Sequence, residues 1–113
     1  MDKILVVNND VETMSLLKSL LEKRSYEVRY TSSKDEALEM VKEMPPELVL
    51  VDILQKDLLP LLKRDNKTKH IPLLLMTGYS LRDREKEMYA DDVIEKPFYP
   101  ALLEEKIKKN IKR

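Results

Sequence analysis

The residues with the clearest capacity for chemistry come at the ends of short apolar runs. Asp52 follows the run LVLV, Thr77 follows LLLM, and Lys96 follows DVIE and precedes Pro97. If these runs are parallel strands, the three side chains meet at the carboxyl edge of the sheet, where open α/β sheets bind their ligands. A carboxylate, a hydroxyl and an ammonium at one edge suit phosphoryl transfer. The carboxylate attacks phosphorus, while the hydroxyl and the ammonium stabilise the phosphoryl oxygens.

The strands that must position these residues are short and mostly apolar throughout. The runs at 4–7, 48–51 and 73–76 are continuous, as is typical of parallel strands buried on both faces. The alternating run at 26–30 favours a strand nearer an edge, and DVIE at 92–95 is a candidate for the fifth strand. The sequence therefore predicts five strands.

Helical patterns lie between these strands. Apolar stripes with helical spacing run from Met14 to Leu21, from Ala37 to Met44, and from Leu103 to Ile111. The predicted helix starts are Asn9 or Asp10 for the first helix, Ser33 with Glu36 for the second, Ser80 for the fourth and Pro100 for the last. Strands that alternate with helices predict an α/β fold, a doubly wound parallel sheet with helices on both faces.

Composition excludes several classes of function. The 21 Lys and Arg residues balance 21 Asp and Glu residues, which argues against nucleic acid or a membrane as a partner. The chain has no Cys and one His, so thiol catalysis and the usual cysteine or histidine metal sites are excluded. A single glycine, Gly78, excludes glycine-rich phosphate loops. We expect one domain over 1–113 that is cytoplasmic, since no apolar run is long enough for a membrane span or a signal peptide.

Four phrases in the chain, ILVVNND, PPELVLVDI, LLLMTGYS and ADDVIEKPF, resemble the receiver domains of two-component response regulators. The resemblance extends over essentially the whole chain, and the motifs occur in the order of the family. It implies a five-stranded flavodoxin-like sheet with strand order 2-1-3-4-5. It also implies that Asp52 accepts a phosphoryl group from a histidine kinase or phosphotransfer protein, with Thr77 and Lys96 in support. The bond from Lys96 to Pro97 is then expected to be cis.

The resemblance also implies a Mg²⁺ site, but the sequence departs from the family there. Receivers carry two acidic residues after the first strand, and this chain has Asn8 and Asn9. The candidate ligands are Asn9, Asp52 and the backbone carbonyl of Leu54, with Asn8 and Asp10 as lesser candidates. Mg²⁺ is a hard ion that gives up its water reluctantly. The loss of two formal charges from its shell therefore predicts weak binding.

Two further departures concern signalling and the lifetime of a phosphoryl group. Val93 stands where receivers place an aromatic residue that responds to phosphorylation, and valine has no ring to move. Leu54 and Tyr79 stand where receivers place the residues that flank the hydrolytic water.

We expect a stand-alone receiver-like domain, for which two hypotheses remain. It is either a phosphoacceptor in a phosphorelay that acts on a downstream protein, or a degenerate receiver that docks to partners without phosphate. An enzyme is disfavoured, because no nucleophile has a nearby base.

Overall fold

The computed structural model describes residues 1–78 and 89–111, which form five parallel strands with helices on both sides. The strands are β1 (Lys3–Val7), β2 (Glu27–Thr31), β3 (Leu48–Asp52), β4 (Leu73–Thr77) and β5 (Asp92–Glu95). They lie in the order β2-β1-β3-β4-β5, and every neighbouring pair is parallel. The predicted fold class and strand order are confirmed. Each predicted strand ends within one residue of the observed one.

The described residues also form four α-helices and one 3₁₀ turn. The elements are α1 (Val11–Glu22), α2 (Lys34–Glu43), the 3₁₀ turn (Ile53–Gln55), α3 (Leu58–Arg64) and α4 (Pro100–Ile111). Pro60 is tolerated in α3 because it lies in the first turn, where the backbone N–H has no partner within the helix. A fourth predicted helix, capped by Ser80, lies outside the described residues.

The helix starts follow the capping residues in the sequence. Asp10 caps α1, Ser33 caps α2 by accepting a hydrogen bond from the Glu36 backbone N–H, and α4 begins at Pro100. These three predicted starts are confirmed. A side chain that accepts a hydrogen bond from the first turn satisfies one of the unpaired N–H groups there, which typically contributes about 1 kcal/mol.

The core consists of one apolar layer on each face of the sheet. One layer includes Val7, Val51 and Leu75 from the strands, packed with side chains of α2 and α3. The other includes Leu50 and Met76, packed with side chains of α1 and α4. The central strands β3 and β4 are buried along their whole length. This explains their unbroken apolar sequence, because both faces need apolar residues.

The register of the sheet places the ends of the strands side by side. Asp52 pairs with Met76 across β3 and β4, and Thr77 pairs with Glu95 across β4 and β5. The carboxyl ends of β3, β4 and β5 therefore lie at one edge. His70, the single histidine, lies exposed in the segment between α3 and β4.

No helix among residues 1–78 and 89–111 is long and apolar enough to cross a membrane.

Candidate functional site

Asp52 is the centre of the site at the carboxyl edge of the sheet. It is the last residue of β3 and only 5% exposed. Its Oδ1 accepts a hydrogen bond from the Lys96 ammonium at 3.1 Å, and its Oδ2 accepts one from the Leu54 backbone N–H at 3.0 Å. A buried carboxylate is costly unless it is paired. Both oxygens of Asp52 have a partner, which accounts for its stability in this position.

Lys96 connects β5 to Asp52 through its side chain and to β4 through its backbone. Lys96 lies one residue beyond the end of β5, and its backbone N–H donates to the Thr77 carbonyl oxygen at 2.7 Å. Its side chain is 35% exposed, so the ammonium lies at the mouth of the site and not inside the core. The peptide bond between Lys96 and Pro97 is cis, as the family resemblance predicted.

Thr77 is the third residue that the sequence placed at this edge. It ends β4, is fully buried, and lies one position beyond the level of Asp52 in the sheet. Its carbonyl group holds the Lys96 backbone, and Lys96 in turn contacts Asp52. The structure therefore brings Asp52, Thr77 and Lys96 together.

Asn8 lies at the same edge as Asp52. Val7 pairs with Val51, and Asn8 and Asp52 each follow directly in the chain, so both lie at the carboxyl edge of the sheet. Asn8 is only 1% exposed, and its Oδ1 accepts a hydrogen bond from the Asp10 backbone N–H at 2.7 Å. Because a backbone N–H can only donate, the atom that it contacts must be the amide oxygen of Asn8. The amide nitrogen Nδ2 therefore points away from the Asp10 backbone.

The amide nitrogen of Asn8 has no hydrogen-bond partner in the part of the chain that the structure describes. Buried polar groups in folded proteins are nearly always hydrogen-bonded, so an unpaired donor at a candidate site asks for an explanation.

Asn9 and Asp10 occupy different environments from Asn8. Both are exposed. The Asp10 side chain accepts hydrogen bonds from the Thr13 hydroxyl at 2.6 Å and from the Glu12 N–H at 3.2 Å. The Thr13 hydroxyl, with smaller effects from backbone N–H groups, lowers the pKa of Asp10 below its ordinary value. The capping role predicted for Asp10 is confirmed.

The donor set at this edge does not fit a tight Mg²⁺ site. Among residues 1–78 and 89–111, no three His or acidic side chains lie close enough together to hold a metal ion. Asp52 is already paired with an ammonium, and the oxygen of Asn8 is used by the Asp10 backbone. Mg²⁺ prefers oxygen ligands that carry charge, and it keeps its water where these are lacking.

Two features of the site were missed in the sequence. The first is the hydrogen bond from the Leu54 backbone N–H to Asp52. The two residues are two positions apart, which is the spacing of an Asx turn, so the sequence did indicate this bond. The unpaired amide of Asn8 depends on burial and on the Asp10 contact, for which the sequence carries no signal.

Comparison with known proteins identifies what this chain is similar to. The model of the response regulator receiver domain matches residues 4–108. A transcriptional regulatory protein, a CpxR homolog of Haemophilus influenzae, is 32% identical over 119 residues and matches the whole chain. The chain spans only 52% of the length of that relative.

Solved structures agree in fold. The receiver domain of a signal transduction histidine kinase from Syntrophus aciditrophicus has a TM-score of 0.89 and 28% identity, covering 98% of this chain and 90% of its own. The receiver domain of a sensor histidine kinase, PA1611 from Pseudomonas aeruginosa, has a TM-score of 0.89 and 16% identity, covering 97% of each chain. That structure has magnesium coordinated in its active site cleft.

Proposed function

Because the chain belongs to the receiver domain family of response regulators, we propose that Asp52 accepts a phosphoryl group in a two-component phosphorelay. The donor is a histidine kinase or a phosphotransfer protein, and residues 1–113 act as one receiver unit on a downstream protein. The observation that carries the proposal is the contact between the Asp52 carboxylate and the Lys96 ammonium at the carboxyl edge of the sheet.

The proposed chemistry needs little more than the residues of this edge. A carboxylate oxygen of Asp52 attacks phosphorus, and the bond from phosphorus to the donor histidine nitrogen breaks. The nitrogen keeps the bonding electrons, and the ring leaves neutral because its other nitrogen carries a proton. Lys96 offsets the charge of the phosphoryl oxygens, and the Thr77 hydroxyl donates to one of them. Catalysis of this kind is mostly positioning and charge stabilisation.

The direct test is phosphotransfer followed by intact mass measurement. A donor, either a phosphorylated histidine kinase or acetyl phosphate, should add the mass of one phosphoryl group to the protein. The Asp52→Asn variant should gain none. Asp57→Asn is a matched control, because Asp57 is an exposed aspartate five residues further along the chain. Equal labelling of the Asp52→Asn variant would contradict the proposal.

We also propose that any Mg²⁺ at this edge is held weakly, by Asn9, Asp52 and the backbone carbonyl of Leu54. The double substitution Asn8→Asp and Asn9→Asp should tighten Mg²⁺ binding by roughly 100-fold, because each change adds a charged ligand. Isothermal titration calorimetry would measure this. Asn66→Asp, an added carboxylate at an exposed turn, is the control. An affinity that the double substitution leaves unchanged would refute the charge argument.

A phosphoryl group on Asp52 should be long-lived. Leu54 follows Asp52 by two residues and its side chain is 76% exposed, so it stands beside the acceptor with no group that could orient water. Leu54→Asn should speed loss of the phosphoryl group by about tenfold. The measurement is decay after removal of the donor, with Leu61→Asn, another exposed leucine, as control. Decay as fast in the unaltered protein as in the variant would refute shielding by Leu54. The second residue assigned to this path, Tyr79, lies outside the described residues.

A second candidate function is docking that does not depend on phosphate. The observation in its favour is Val93, which packs partly buried against the layer that contains α2 and α3, with no aromatic ring to change position. Under this alternative a partner protein binds the unaltered chain and the Asp52→Asn variant with equal affinity, before and after treatment with a phosphodonor. Under the leading proposal, phosphorylation changes that affinity.

A further inference from the structure

The unpaired amide of Asn8 is the starting observation. Asn8 is 1% exposed, directly follows β1 at the edge where Asp52 ends β3, and presents a buried N–H donor that has no acceptor among the described residues. Its orientation is fixed, because Oδ1 accepts the Asp10 backbone N–H at 2.7 Å. The amide cannot turn its oxygen toward Asp52 without breaking that bond. The structure therefore holds a fixed N–H donor, without a partner among the described residues, at the sheet edge that carries Asp52.

The charges of the site also favour an oxyanion as the ligand. Asp52 and Lys96 form an ion pair, and Asn8 adds a partial positive charge where a receiver with an acidic pair has a carboxylate. A site with more acidic residues repels a phosphoryl group unless a dication intervenes. Here that repulsion is smaller, because position 8 carries an amide and not a carboxylate.

We propose that Asn8 donates a hydrogen bond through Nδ2 to an oxygen of the phosphoryl group on Asp52, so that phosphorylation requires no divalent cation. The inference rests on the proposed function, since it assigns a role within the same site. Lys96 and Asn8 then approach the phosphoryl oxygens from two sides, one as an ammonium and one as an amide. A preorganised donor aimed at developing negative charge stabilises a transition state without reorganisation.

The reaction balances without a metal. With acetyl phosphate, an Asp52 oxygen forms the new bond to phosphorus and the bond from phosphorus to the acetyl oxygen breaks. The acetyl oxygen keeps the bonding electrons, and acetate leaves as an anion with no proton required. Asn8 forms and breaks no covalent bond. It donates a hydrogen bond to the reacting group during transfer.

The test compares phosphorylation by acetyl phosphate in EDTA and in Mg²⁺, measured by intact mass. The unaltered protein should be phosphorylated at rates that agree within about twofold in the two conditions. Asn8→Leu keeps the approximate size and removes the donor, and should slow the reaction in EDTA by about 100-fold. Asn8→Asp should be slow in EDTA and should recover on addition of Mg²⁺, a dependence on metal that a purely structural role would not produce.

The control is Asn110→Leu, which also removes a side-chain amide donor, at the opposite edge of the sheet. Its phosphorylation rate should equal that of the unaltered protein. Thermal melts would show whether each variant is folded, and the comparison of EDTA with Mg²⁺ on the unaltered protein needs no variant at all.

Each outcome has a definite meaning. Phosphorylation of the unaltered protein only in Mg²⁺ would overturn this inference and leave the proposed function standing. Phosphorylation of Asn8→Leu at the unaltered rate in EDTA would also overturn it. If the unaltered protein takes up no phosphoryl group in either condition, the proposed function fails and this inference fails with it.

Discussion

Replacement of Lys96 by methionine should slow phosphorylation of Asp52 by about 100-fold to 1000-fold. The Lys96 ammonium lies 3.1 Å from the Asp52 carboxylate, and in the proposed reaction it faces the phosphoryl oxygens. Methionine keeps most of the length of the chain but carries no charge and no donor. The loss of rate therefore measures the combined contribution of the charge and the hydrogen-bond donor of Lys96. The measurement is the initial rate with a small phosphodonor, followed by intact mass.

Lys56→Met is the matched control for this prediction, because Lys56 is an exposed lysine four residues after Asp52. It should leave the rate unchanged. Thermal melts of both variants would exclude unfolding as the cause. A Lys96→Met protein that is folded and phosphorylated within about threefold of the unaltered rate would show that the contact is structural and has no part in transfer.

Replacement of Asp92 by alanine should lower the free energy of unfolding by about 1–3 kcal/mol. The Asp92 side chain is 15% exposed and accepts three hydrogen bonds, from the Lys106 ammonium at 3.1 Å, the Asn110 amide at 2.9 Å and the Val93 backbone N–H at 2.8 Å. It joins the start of β5 to α4. Alanine would leave these donors without their acceptor, and chemical denaturation would measure the loss.

The stabilisation by Asp92 should depend on pH. Burial raises the pKa of its carboxyl group, but hydrogen bonds from Asn110, Val93 and Lys106 together outweigh burial, so the pKa is lowered from its ordinary value of 3.8. A lowered pKa in the folded state means that the stabilisation is fully present above pH 3.8 and is lost as the pH falls through the folded-state value. The difference between the unaltered protein and Asp92→Ala should shrink in that acidic range. Glu39→Ala, at an exposed position, is the control variant.

The fold could be predicted from the sequence because each level of the pattern agreed with the others. Continuous apolar runs such as LVLV require burial on both faces, and helical stripes such as that from Ala37 to Met44 supply the covering layer. Capping residues such as Ser33 then placed a helix start to the residue. Strand order came from the family resemblance, since local patterns contain no information about which strands are neighbours.

The site was predictable in its members and not in its geometry. Asp52, Thr77 and Lys96 were expected at one edge, because parallel strands bring their carboxyl ends together. The sequence could not show that Lys96 bonds to Oδ1 while the Leu54 N–H bonds to Oδ2. Nor could it show that Asn8 is buried while Asn9 is exposed, since burial depends on how β1 packs beside β3. The presence of asparagine at position 8 predicted only a poor metal ligand. The structure shows in addition that its amide nitrogen has no hydrogen-bond partner among the described residues.

Chemical trapping tests most directly whether Asp52 carries the phosphoryl group. Borohydride reduces an aspartyl phosphate to homoserine, so that treatment after exposure to a phosphodonor marks the acceptor permanently. Peptide mass analysis then locates the marked residue. We expect homoserine at position 52 and at no other aspartate position. A sample that was not exposed to the phosphodonor should contain no homoserine. Homoserine at Asp10 or Asp57, or phosphorylated protein that yields none at position 52, would contradict it.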